Sequence, residues 1–175
     1  MVGFFALSLR RWVDLRAGAS DLGIFDQAVW LMAHGRTPFV TNIAINVFAD
    51  HVSAVLLLFV PLYRLVATPV WLLAVQAVCL GLTVVPARRL ADHFGVGRGW
   101  ATLFVLANPF MWHAAVYDMH PVVFATPAVA WLLLAVVRDE RRAATVAAAL
   151  IALCRADTVT VLLGAAILAR PPSTR

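Results

Sequence analysis

LVATPVWLLAVQAVCLGLTVVPA, residues 65–87, runs between Arg64 and Arg88 without a single charge. At about 1.5 Å of rise per residue, an apolar helix of this length crosses the hydrocarbon core of a bilayer. Its one amide, Gln76, reads as a hydrogen-bond partner for a neighbouring helix. Two further runs extend from it: Gly99 to Tyr117, interrupted only by His113 near its end, and Pro121 to Val137 at the short limit. Ala143 to Ala169 is apolar except at Arg155-Ala156-Asp157, and reads either as one long helix with a buried ion pair or as a hairpin of two short helices. The fold class expected is all-α, a polytopic transmembrane bundle of about 5 to 6 membrane helices, with 1–175 forming a single integral membrane domain.

Composition agrees. Hydrophobic residues make up 63% of the chain, charged residues 13%, and the mean hydropathy is +0.88, values outside the range of ordinary soluble domains. All 14 basic residues are arginine, and no basic patch interleaved with aromatics supports nucleic-acid binding. The net charge of +5 fits arginines that anchor cytoplasmic connectors. Cys79 and Cys154 lie in apolar runs and read as packing residues.

Orientation follows the arginines. Arg88, Arg89 and Arg98, and then Arg138, Arg141 and Arg142, mark cytoplasmic connectors. Alternation places Tyr117–Pro121 outside an inner (plasma) membrane, together with one long first loop from Arg10 to Thr68. Arg10, Arg11 and Arg16 run against the rule. The opening MVGFFALSLRR is neither a full span nor a signal peptide, so the chain is expected to be an incomplete copy of a longer protein. Within the first loop a short helix is predicted over Asp21–Ala33, ending at His34-Gly35 and capped by Ser20 or Asp21. Val52–Tyr63 is apolar but too short to span, as for an interfacial or re-entrant helix. Trp71, Trp100 and Trp112 fall near span ends, where an indole suits the interface.

Charges retained in so apolar a chain cost about 2.5 to 3.5 kcal/mol each at mid-membrane, so those that persist point to a polar site. They are Asp21 and Asp26, Asp50-His51, Asp118 with His120, and Arg155 with Asp157, all on one side in this topology. Asp21 and Asp26 are five residues apart, about 140° around a helix, so they do not act as a pair on one bond. One faces a site as a general base, while the other caps the helix or pairs with Arg16 or Arg36. Asp50 and His51 position a hydroxyl or cap the following helix; Asp118 or His120 caps the helix that Pro121 begins. Together Asp50, His51, Asp118 and His120 offer ligands suited to Mg or Mn, although the spacings match no metal motif. Arg155 and Asp157 form an ion pair, or Arg155 holds a phosphate with its fork of donors.

SDLGIFDQAVW, Gly35, Pro38, Asp50-His51, PLYRL, the Gln76 span, YDMHP and CRAD, in that order, resemble a prokaryotic family of uncharacterised multi-pass membrane proteins. That family is in turn similar to the GT-C superfamily of membrane glycosyltransferases, whose donors are polyprenyl-phosphate-linked sugars. The resemblance implies a GT-C-like bundle with juxtamembrane helices in a long first outer loop. It puts Asp21 in the catalytic position with Asp26 in reserve. Asp50, His51, Asp118, His120, Arg155 and Asp157 would then contact substrate, with Arg155 or Arg64 near the phosphate. The partners implied are membrane lipid, a polyprenyl-phosphate sugar, and the remainder of the protein or a partner membrane chain. GT-C proteins are generally much longer. The alternative is a non-catalytic transport or scaffold protein, or an inactive truncated remnant.

Overall fold

The computed structural model describes residues 1–14, 21–50, 52–117, 119–155 and 158–168. The uncharged stretch around Gln76 forms its axis. α5 (Val70–Leu82) and α6 (Val84–His93) run on as one 24-residue rod, Val70–His93, of hydropathy 2.1. The rod is about 36 Å long by helical rise, enough to cross a bilayer. Among the described residues no other helix is both long and apolar enough to do so; Ala54–Leu65 and Pro121–Val137 are shorter apolar segments. Thr83, at the joint of α5 and α6, returns its hydroxyl to Cys79 O at 3.0 Å, which keeps its polar atom satisfied inside the rod.

The expected span from Gly99 to Tyr117 is corrected. It forms two helices, α7 (Arg98–Ala107) and α8 (Pro109–Val116). Pro109 has no N–H to continue the ladder, and Asn108 before it is pushed to an extended backbone (φ −65°, ψ 118°). Asn108 then caps α8 by accepting from Phe110 N at 2.9 Å. Across the break, Trp112 Nε1 donates to Leu106 O at 2.6 Å.

α8 ends at Val116, so its last carbonyls lack helical partners. Two neighbours supply them. Gln76, fully buried in α5, donates Nε2 to Ala114 O at 3.0 Å, the interhelical role expected of it. Ser8, on α1 (Val2–Val13), places its hydroxyl 2.6 Å from Ala115 O. Phe4 of α1 packs against Trp112 with ring centroids 4.7 Å apart. These contacts fasten α1, α5 and α8 into one unit.

After α8 the chain turns through His120 into a 3-10 segment, Pro121–Ala125, and α9 (Thr126–Val137). Asp139 adopts φ 55° in the turn that follows, so α10 (Arg141–Cys154) returns antiparallel along α9. Glu140 N bonds Ala135 O and Asp139 N bonds Val136 O, the paired closure of a Schellman motif. The long segment 143–169 is not one helix. It breaks at Arg155, which is extended (φ −167°, ψ 136°), and Thr158 hydrogen-bonds back to Ile151 O at 3.1 Å. α11 (Val159–Leu168) then packs on α9, and not along α10 as a tight hairpin would.

The first loop folds as its own layer. α2 (Asp21–Ala33) has the expected bounds and closes with Gly35 at φ 68°, where Arg36 N bonds Leu31 O and Gly35 N bonds Met32 O. A two-residue hairpin, β1 (Phe39–Val40) with β2 (Ile45–Asn46), is pinned to α2 where Thr41 N and Oγ1 both donate to Gln27 Oε1 at 3.1 Å. α3 (Val47–Asp50), a 3-10 segment Ala54–Phe59 and α4 (Val60–Leu65) complete it. Leu22, Phe25 and Val29 of α2 share one buried core with Leu56, Phe59, Leu72, Phe124 and Ile151, so this layer rests directly on the long helices.

Arginines lie at both ends of the bundle: Arg10 and Arg11, in the last turn of α1 just past the Ser8–Ala115 contact, lie toward the His120 end, and the α6–α7 and α9–α10 turns form the other. At these turns, Arg98 grips Asp92 with Nε and Nη2 at 2.7 Å, Arg89 lies 4.9 Å over the Trp131 ring, and Arg138, Arg141 and Arg142 cluster at the α9–α10 turn. The Asp21 end of α2 and the turn carrying His120 lie together at the opposite end.

Candidate functional site

Asp21 opens α2. The next residue, Leu22, and Phe25 one turn on are buried, so the carboxylate sits at the edge of the core with its side chain 29% exposed. His120 arrives from a remote part of the chain. Because Pro121 follows, His120 is held extended (φ −125°, ψ 133°), and Pro121 itself is buried. That geometry brings His120 Nε2 to 3.4 Å from Asp21 Oδ2, with the imidazole 30% exposed. Phe25 meets the imidazole edge-on, with centroids 6.3 Å apart.

The imidazole also neighbours Tyr117 at 5.7 Å, and Tyr117 stacks on His113 at 5.2 Å. His113, Tyr117, His120 and Asp21 therefore form a continuous rim of ionisable or hydroxyl-bearing groups. Tyr117 and His113 carry no site role in the sequence reading. Their spacing of four at the end of α8 sets them on one face. A partly exposed carboxylate beside an imidazole can accept, hold and pass on a proton.

Asp26 points elsewhere. It accepts from Tyr63 Oη at 2.7 Å, while Arg36 lies 6.0 Å over the Trp30 ring and Arg16 falls outside the described residues. Burial pushes the Asp26 carboxyl above its ordinary value of 3.8, with the Tyr63 bond partly offsetting the rise, and burial with the adjacent carboxylate pushes the Tyr63 phenol up. The fold therefore penalises the charged form. Asp26 opposes folding least below pH 3.8, and its cost grows as pH rises from there through the raised folded value. Asp26→Asn keeps an acceptor for Tyr63, and is expected to melt above the wild type at pH 7 with the gap closing near pH 4. Tyr63→Phe leaves a half-buried carboxylate without its donor and should cost about 1–2 kcal/mol in denaturant titrations.

The other sequence candidates are dispersed. Asp50 is exposed and closes α3, so it does not cap the apolar segment; Ser53 holds that position. Arg155 follows Cys154 at the end of α10, which packs against the segment 121–125, so it emerges at the His120 end. It is partly buried. His120 occupies the residue before that segment but makes no side-chain cap to it. His51, Asp118 and Asp157 lie outside the described residues. Among the described residues no three His, Cys, Asp or Glu side chains gather as a metal site would require. Arg64 is corrected as a phosphate partner for Asp21. Its Nε donates to Ala33 O at 3.1 Å, at the opposite end of α2, about 18 Å along the helix from Asp21.

A mostly helical membrane protein, with an acid and an imidazole joined at the end opposite its arginine-rich turns, is the class that the fold and site define. A family model described as "Predicted membrane protein (DUF2079)" matches residues 11–170, and the chain belongs to that family. No curated protein and no solved structure matches it.

Proposed function

We propose that the protein is a multi-pass enzyme of the inner membrane that transfers a sugar from a polyprenyl-phosphate donor at the extracytoplasmic face. The observation that carries this reading is the Asp21–His120 pair, 3.4 Å apart and partly exposed at the end away from the arginine-rich α6–α7 and α9–α10 turns. Arginine-rich turns favour the cytoplasm, which turns the pair outward. In the proposed reaction an acceptor hydroxyl attacks the anomeric carbon, and a new carbon–oxygen bond forms as the bond to the phosphate breaks. The leaving group departs as polyprenyl phosphate, and the hydroxyl proton passes to Asp21. His120 donates to the carboxylate and holds it in register, while Tyr117 and His113 border the acceptor. Arg155, at the same end, suits the departing phosphate, because a guanidinium fork matches phosphate oxygens.

The test is direct. The full-length protein in lipid nanodiscs, given radiolabelled polyprenyl-phosphate mannose or glucose and a membrane extract as acceptor, should release polyprenyl phosphate. A panel of donors that yields no release, with protein that melts cooperatively, would overturn the proposal.

A further inference from the structure

At the far end of α2, away from Asp21, lies an open cleft of about 670 Å³ between the α2 C-terminus and α4. Trp30, His34, Tyr63, Arg64 and Leu65 line it. Three features there have no part in the proton chemistry above. Arg64 is tied by Nε to Ala33 O, which fixes its guanidinium at the cleft wall; among the described contacts its other donors are unspent. His34 stacks on Trp30 at 4.1 Å and bonds Trp30 O through Nδ1, leaving Nε2 for an outside group. Arg36 covers the Trp30 ring at 6.0 Å, adding a second permanent cation beside the cleft.

Among the described residues no carboxylate lines this cleft, and Asp26, which reaches its wall at Tyr63, is engaged by that phenol. The Arg64 guanidinium and the His34 imidazole therefore line the cleft, with the Arg36 guanidinium over the ring of Trp30, one of its walls. The partial negative charge of the α2 C-terminus is met by the Arg64 and His34 bonds to its carbonyls. Leu65, on the cleft edge, is 79% exposed, and Val66 beside it is also exposed, so the two form a short apolar strip. Cations beside an apolar strip match an amphiphile with an anionic head and a hydrocarbon tail.

We propose that this cleft binds the phosphate group of an anionic membrane lipid, whose tail lies against Leu65 and Val66. Arg64 and Arg36 take the phosphate oxygens, and the Trp30 indole supports the headgroup at the interface. The site is separate from the Asp21–His120 pair, so it stands or falls without that chemistry.

Native mass spectrometry of the full chain, released from detergent with phosphatidylglycerol or phosphatidylcholine, reads it out. Phosphatidylglycerol should be retained about tenfold better, the factor that one charge-assisted hydrogen bond supplies. Arg36→Gln, which touches only the Trp30 ring, should cut that preference several-fold, and Arg36→Gln with Arg64→Gln should remove it. Should Arg64→Gln unfold α2, the Arg36 variant alone decides. Equal retention of the two lipids, or a preference that survives Arg36→Gln, overturns the proposal. Displacement of phosphatidylglycerol by equimolar inorganic phosphate also overturns it, because a free anion would then be the ligand.

Discussion

Asp21→Asn is expected to lower sugar transfer by about 10²- to 10⁴-fold, the range that a positioned general base supplies. The substitution keeps the size of the side chain and an oxygen within reach of His120, so α2 and its packing should survive; what goes is the ability to take a proton. The loss should fall on kcat with little change in KM, because Asn still borders the acceptor. His120→Gln retains an N–H donor for the carboxylate and should cost only about tenfold, since orientation suffers and the base remains. The difference between the two variants is informative. If His120→Gln were the more damaging, the imidazole would be the base and Asp21 its support. Unchanged turnover in Asp21→Asn, with an unchanged melting curve, would end the proton-transfer role.

Leu56→Ala should destabilise the protein by about 2–5 kcal/mol, read as a shift in denaturant midpoint in detergent. Leu56 has no exposed surface and packs among Leu22, Phe25 and Val29 on the underside of α2. Its neighbours are protein side chains, so the hole left by alanine is not refilled by lipid. The 3-10 segment that carries Leu56 holds α2 over the long helices, and the same variant should therefore loosen Asp21 against His120. Leu56→Met, which conserves volume, should cost less than about 1.5 kcal/mol. A small loss from the alanine change would mean that the first-loop layer does not depend on this core.

Several elements were readable from local chemistry. The α2 bounds follow from Gly35 and the polar lead-in at Asp21, because helix ends are written in neighbouring residues. The rod through Gln76 follows from the uninterrupted apolar run, and the Gln76 bond from the cost of burying an amide alone. The split of 99–117 was also present in the sequence, at Asn108-Pro109; apolar composition masked it, since a run can be uncharged throughout and still lose its ladder at one proline. At Arg155 the sequence left two alternatives, and the outcome depended on Thr158 reaching back to Ile151 O, a contact that residue type alone does not specify. The Asp21–His120 pair was the least legible. Both residues were candidates, but their meeting requires α8, its turn and the segment 121–125 to deliver an imidazole under α2, which is a long-range matter.

The indole of Trp112 carries one more consequence. Because it clasps Leu106 O across the proline gap, the elbow that Asn108-Pro109 opens between α7 and α8 is braced by an aromatic strut. The aim of Tyr117, and through it the seat of His120, is thus governed from a full turn or more below, by a ring that also leans on Phe4. α1 thereby acts as a shim beneath the rim that joins His113, Tyr117 and His120.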